Sequence, residues 1–105
     1  MVNAMTAEEK NLDAIRKRID EIDDTIADLL IRRMQYAKQA KKAKMQMNKP
    51  VVDRQREEEV IEKWRERARK SRGSEGVLEL GEEMMQKMAA LLIEYTVEKE
   101  QEQEE

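Results

Sequence analysis

Residues 12–44 read LDAIRKRIDEIDDTIADLLIRRMQYAKQAKKAK, a run without glycine or proline. Its apolar side chains fall at Leu12, Ile15, Ile19, Ile22, Ile26 and Leu29, in alternating steps of three and four. That is heptad spacing, the pattern of a helix laid along other helices. The same stepping next reaches Arg33, then Tyr36 and Ala40. A guanidinium does not lose its proton inside a protein, so a seam is a costly place for it unless an anion meets it there. The spacing therefore predicts an apolar seam that opens at Arg33 into a pocket for something negatively charged.

Length turns that helix into an argument about assembly. Over residues 8–44 it would extend about 55 Å at ~1.5 Å per residue. A compact chain of ~100 residues has a radius of gyration of only ~13 Å. The rest of the 105-residue chain is too short to cover such a rod, and a second copy in a two-fold dimer is the economical partner.

On either side of the rod the punctuation marks out one domain, residues 1–105, with three helices. Residues 1–6 are a loose end in which Met5 is a second candidate start. Thr6 and Glu9 fit a capping box for a first helix over 7–46. Pro50 biases Lys49 away from the helical region and ends it. Val51-Val52 is a short apolar loop, and Asp53 is the natural N-cap of a second helix, 53–71. That helix carries Val60, Ile61, Trp64 and Ala68 on one stripe and turns charged at Asp53, Arg56 and Glu57. Gly73 and Ser74 read as stop and cap in the connector. A third helix follows at 77–101, with Leu80, Met84, Met88, Leu91, Leu92 and Tyr95 as its apolar face. Gly81 lies inside it, at a cost of ~1 kcal/mol relative to alanine, and would permit a close helix contact. Leu92, Thr96 and Glu100 stack along one edge, and 102–105 form an acidic tail. The fold class expected is all-α: a three-helix chain with one very long N-terminal helix, in an intertwined homodimeric bundle.

Composition removes several functions. Charged residues make up 43% of the chain and hydrophobic ones 39%, and the net charge is -3. Such a profile also suits a disordered chain, but disordered segments keep no register of isoleucines. Basic and acidic residues are interspersed, which gives nucleic acid no basic face. Cysteine and histidine are both missing, so there is no disulfide framework, no thiol nucleophile and no imidazole base or ligand. No metal and no cofactor is expected. Neither a membrane span nor a signal-peptide core is present, so the expected location is cytoplasmic.

The candidates for chemistry are Arg16, Arg33, Lys44, Asp53, Arg56, Glu57, Thr96 and Glu100. Arginine suits bidentate capture of carboxylates. Covalent catalysis is poorly provided for. The inventory fits a site that binds a small dianion and acts through position and electrostatics.

Four segments then carry a resemblance: Leu12 through Asp23 with its I-R-x-x-I-D-x-I-D, Leu29 through Arg33, Ala40 through Lys44, and Lys49 through Glu57 with its P-V-x-D-x-x-R-E. In this order and at these separations they resemble the all-helical chorismate mutases, over about Leu12 to Gln101. The resemblance implies an intertwined homodimer that rearranges chorismate to prephenate for phenylalanine and tyrosine synthesis, a [3,3] sigmatropic shift without a covalent intermediate. It also implies roles. Arg16 would reach into the partner's site, and Arg33 would complete a carboxylate clamp. Lys44 would serve a carboxylate and the ether oxygen, with Asp53, Glu57 and Arg56 around the ring hydroxyl and Thr96 near the ring carboxylate. Glu100 departs from the family pattern, in which many members carry a glutamine as neutral donor to the ether oxygen. With a reference pKa near ~4.3, Glu100 would have to be kept protonated to donate.

Simpler readings stand beside these. Arg16 and Arg33 fit i,i+4 pairing on an acidic helix, and Lys44 fits a solvated helix end next to Lys38, Lys41 and Lys42. Asp53 fits a cap alone, Arg56 and Glu57 fit surface positions of a first turn, Thr96 fits a small core residue, and Glu100 fits the acidic tail. At the level of function the rivals are an isochorismate pyruvate-lyase on the same scaffold and a non-catalytic coiled-coil dimerisation module.

Overall fold

Thr6 begins the first helix: its hydroxyl oxygen accepts from the Glu9 N–H at 3.1 Å, satisfying one of the four amides that a helix start leaves open. The computed structural model describes residues 4–71 and 80–102. These hold three α-helices, α1 (Ala7–Gln46), α2 (Arg54–Arg69) and α3 (Glu82–Glu102), and no strand among the described residues.

The chain divides into two compact units, Met1–Tyr36 and Ala37–Glu105, so α1 contributes to both. In the first unit the helix is laced by exposed pairs one turn apart, Lys17–Asp13 at 3.5 Å and Arg18–Glu21 at 3.4 Å. Each such pair is worth only ~0.2–0.5 kcal/mol. The heptad stripe is bare: Leu12, Ile15, Ile19, Ile22, Ile26 and Leu29 are 45–59% exposed.

The second unit holds the end of α1 together with α2 and α3. Helix α1 stops in a Schellman motif, which Pro50 alone did not specify. Asn48 takes the left-handed conformation, φ 56°, which asparagine tolerates better than other side-chain-bearing residues. Its N–H reaches the Met45 carbonyl at 3.2 Å, and the Lys49 N–H reaches the Lys44 carbonyl at 2.8 Å. Asp53 then caps α2, its carboxylate accepting from the Arg56 N–H at 3.1 Å.

Helices α2 and α3 pack on each other. Ala68 on α2 and Ala89 on α3 are both fully covered, small side chains of the sort that let two helix axes approach closely. An ionic clasp closes one end. Arg69 donates to Glu62 at 3.0 Å and to Glu82 at 3.1 Å, and Arg65 lies 3.6 Å from both carboxylates. The hydrogen bond to Glu62, foremost, raises the Arg69 pKa above its ordinary value, so the clasp keeps its positive half at any ordinary pH.

Two expectations need correction here. Helix α3 begins at Glu82, not at 77. Leu80 and Gly81 lie outside it, and 77–79 are outside the described residues, as are Gly73 and Ser74. Gly81 therefore precedes the helix, where its carbonyl accepts the first bond from the Met85 N–H at 3.0 Å. Among the described residues it makes no close helix contact, and the nearest atom beyond its chain neighbours to an added Cβ would be Met84 Cβ at 4.0 Å.

Among the described residues no large side chain is fully buried. The Ala68 contact is thus sensitive to volume. Ala68→Leu is expected to lower stability by about 1–3 kcal/mol through overpacking, read as a lower urea midpoint with an unchanged slope.

Candidate active site

Lys44 sits in the last turn of α1, and the Schellman motif fixes where it points by holding its own carbonyl. Its Nζ donates to the Val51 carbonyl at 2.8 Å and lies 3.9 Å from Glu100 Oε2. The second distance is an ion pair, too long for a hydrogen bond. The Lys44 side chain is 28% exposed and that of Glu100 only 5%, so water screens the pair weakly. At ~4 Å and an effective dielectric near ~20, the gross attraction is of order 4 kcal/mol, much of it offset by desolvation.

One turn before Lys44, Lys41 is buried, and its Nζ donates to the backbone carbonyl of Glu100. Glu100 is thus approached by two ammonium groups, one at its carbonyl and one at its carboxylate. Thr96, one turn earlier on α3 and half-buried, donates its hydroxyl to the Leu92 carbonyl at 2.7 Å.

On α2 the expected residues spread out. Asp53 is exposed, with one oxygen engaged in capping. Arg56 is exposed and pairs with Glu59 at 3.6 Å. Glu57 is half-buried and lines a groove of about 430 Å³ between α2 and α3, with Val52, Ile61, Ile93, Val97 and Gln101. In the first unit Arg16 is exposed and Arg33 half-covered.

Of the eight expected residues, therefore, the second unit draws Lys44 and Glu100 together. Lys41 was not singled out from the sequence. The signal available was its place three residues before Lys44, on the same helix face. Among the described residues no cluster of acidic side chains has the makings of a metal site, and no helix is long and apolar enough to cross a membrane.

Chemically, a lysine held by a carbonyl and a carboxyl group is a rigid cationic donor. Such a group binds a carboxylate and stabilises charge on an oxygen without rearranging during reaction. In comparison with known proteins, the family model of chorismate mutase type II matches residues 15–101. Neither the curated proteins nor the solved structures gave a match.

Proposed function

Because this chain belongs to the chorismate mutase type II family, we propose that it converts chorismate to prephenate, the step that commits carbon to phenylalanine and tyrosine. The reaction breaks the ether C–O bond and forms a C–C bond within one molecule. No proton, nucleophile or redox partner takes part. The protein has to hold the enolpyruvyl arm over the ring and stabilise negative charge growing on the ether oxygen.

Lys44 donates to that oxygen and to a substrate carboxylate, and Glu100, in its protonated form rather than the one that ion-pairs with Lys44, donates to the same oxygen. Arg33 and Arg16 of the partner subunit clamp the carboxylates. Asp53 and Glu57 receive the ring hydroxyl with Arg56 beside them, and Thr96 adjoins the ring carboxylate. The observation that carries this reading is the Lys44–Glu100 pair, 3.9 Å apart and largely covered, in a chain that has no histidine or cysteine.

The same reading calls for a homodimer with shared sites. Its support is the stripe from Leu12 to Leu29, which one copy leaves about half exposed. Covering the rest of each side chain is worth roughly 1 kcal/mol, half of the ~1.5–3 for full burial. Six such residues per chain make a substantial drive to associate.

The direct test adds purified protein to chorismate and follows loss of its absorbance, with prephenate as the product. Isochorismate is offered in parallel. Release of pyruvate from isochorismate, without prephenate from chorismate, would assign the lyase reaction instead.

Only protonated Glu100 donates to the ether oxygen. Turnover is therefore expected to rise as pH falls from 8 toward ~5, nearer the ordinary carboxyl range, and Glu100→Gln is expected to flatten the profile. A wild-type profile flat over that interval would remove Glu100 from the donor role.

A further inference from the structure

Lys41 has no part in the proposed chemistry, yet it is among the most deeply covered charged residues described, 5% exposed. An ammonium is not held out of water without a partner of some consequence. Here the partner is the backbone carbonyl of Glu100. Helix α3 ends at Glu102, so this carbonyl is among the last four, where side-chain donors take over from the helix amides. A cation there also meets the negative end of the helix dipole. Lys42, the next residue, is exposed. Lys41 and Lys44, three apart, share one face and reach the same residue of α3 at two different groups.

We infer that Lys41 is a positioning residue, anchoring the last turn of α3 through the Glu100 carbonyl so that the Glu100 carboxyl is held against Lys44. This rests on the chorismate mutase reading for its effect on rate, but not for the anchor itself. Terminal turns fray unless tied down, and a carboxyl donor on a fraying turn would be in place only part of the time. Lys44 has its own tether at the Val51 carbonyl, 2.8 Å away. The lysine side of the pair is thus fixed independently, and Lys41 holds the Glu100 side at its carbonyl.

The test is a double-mutant cycle in the full chain with Lys41→Met, Glu100→Ala and the combination, alongside amide hydrogen exchange over residues 97–102. Lys41→Met is expected to lower kcat by ~10- to 100-fold, the scale of a displacement of ~1 Å, with KM changed by less than ~3-fold. In the Glu100→Ala background the same substitution is expected to cost less than ~3-fold, because the group it positions is gone. Lys41→Arg, which keeps a charged donor, is expected to recover most of the loss. Exchange over 97–102 is expected to be slow in the wild type and fast in Lys41→Met.

Equal losses in both backgrounds, or exchange unchanged by Lys41→Met, would overturn the assignment. If Lys41→Met does not fold, the wild-type exchange decides: protection over 97–102 supports the anchor, and exchange at the rate of a frayed end overturns it. A wild-type protein inactive on chorismate but with Lys41-dependent protection would refute the function and leave the anchor standing.

Discussion

Lys44→Ala is expected to lower kcat/KM for chorismate by at least ~10³-fold, while circular dichroism and oligomeric state stay those of the wild type. Removing one neutral donor from a preorganised oxyanion site typically costs ~10²–10³-fold. Lys44 is charged and is assigned two substrate groups, so its loss should exceed that range. The fold should survive. The pair with Glu100 is partly exposed on the lysine side, so breaking it costs less than the ~3–5 kcal/mol of a fully buried pair. Lys44→Arg is not expected to rescue activity, because a planar fork does not reproduce a compact ammonium aimed at one oxygen. Steady-state kinetics decide the matter: a loss under ~10-fold for Lys44→Ala would remove this side chain from the transition state.

The second large effect concerns assembly. Ile19→Asp or Ile22→Asp is expected to turn the proposed dimer into monomers and to abolish turnover with it. Both side chains lie mid-stripe and are about half exposed in one copy. Facing a partner, each aspartate would be an unpaired charge withdrawn from water, a penalty of several kcal/mol before relaxation. Two-fold symmetry applies it twice. Sedimentation equilibrium measures the state. Monomers at all concentrations in the wild type would refute the assembly, and a fully active Ile19→Asp monomer would refute shared sites. Arg33→Leu separates enzyme from scaffold: a plain coiled coil should gain stability and lose nothing, whereas the mutase should stay dimeric and lose orders of magnitude in turnover.

How far the sequence was legible follows from the range of each interaction. The stripe from Leu12 to Leu29 and the cap at Asp53 depend on spacing within a few residues, and local rules reach them. The stop of α1 was placed by Pro50, but the residue that makes the turn is Asn48, through a backbone conformation that composition does not announce. Gly81 is ambiguous in sequence because glycine suits both a helix interior in close contact and the residue before a helix. Lys41 is the instructive omission. In the run Lys38-Gln39-Ala40-Lys41-Lys42 nothing local sets it apart, and its burial depends on a carbonyl 59 residues away. Glu100 posed the reverse problem, since its neighbours suggest a solvated tail while the i,i+4 edge from Leu92 continues inward to it.

The unbroken course of α1 from Ala7 to Gln46 has a consequence for how such a chain tolerates change in length. Each residue turns the helix by about 100°. Deleting one residue between Ile19 and Ile22 would swing everything before it around the axis, carrying Leu12, Ile15 and Ile19 off the stripe that they form with Ile22, Ile26 and Leu29. A change of seven residues would restore the phase to within ~20°, and would still shift the displaced part by ~10 Å along the rod. Insertions and deletions in this lineage should therefore be confined to segments outside α1, which acts as a ruler as much as a scaffold.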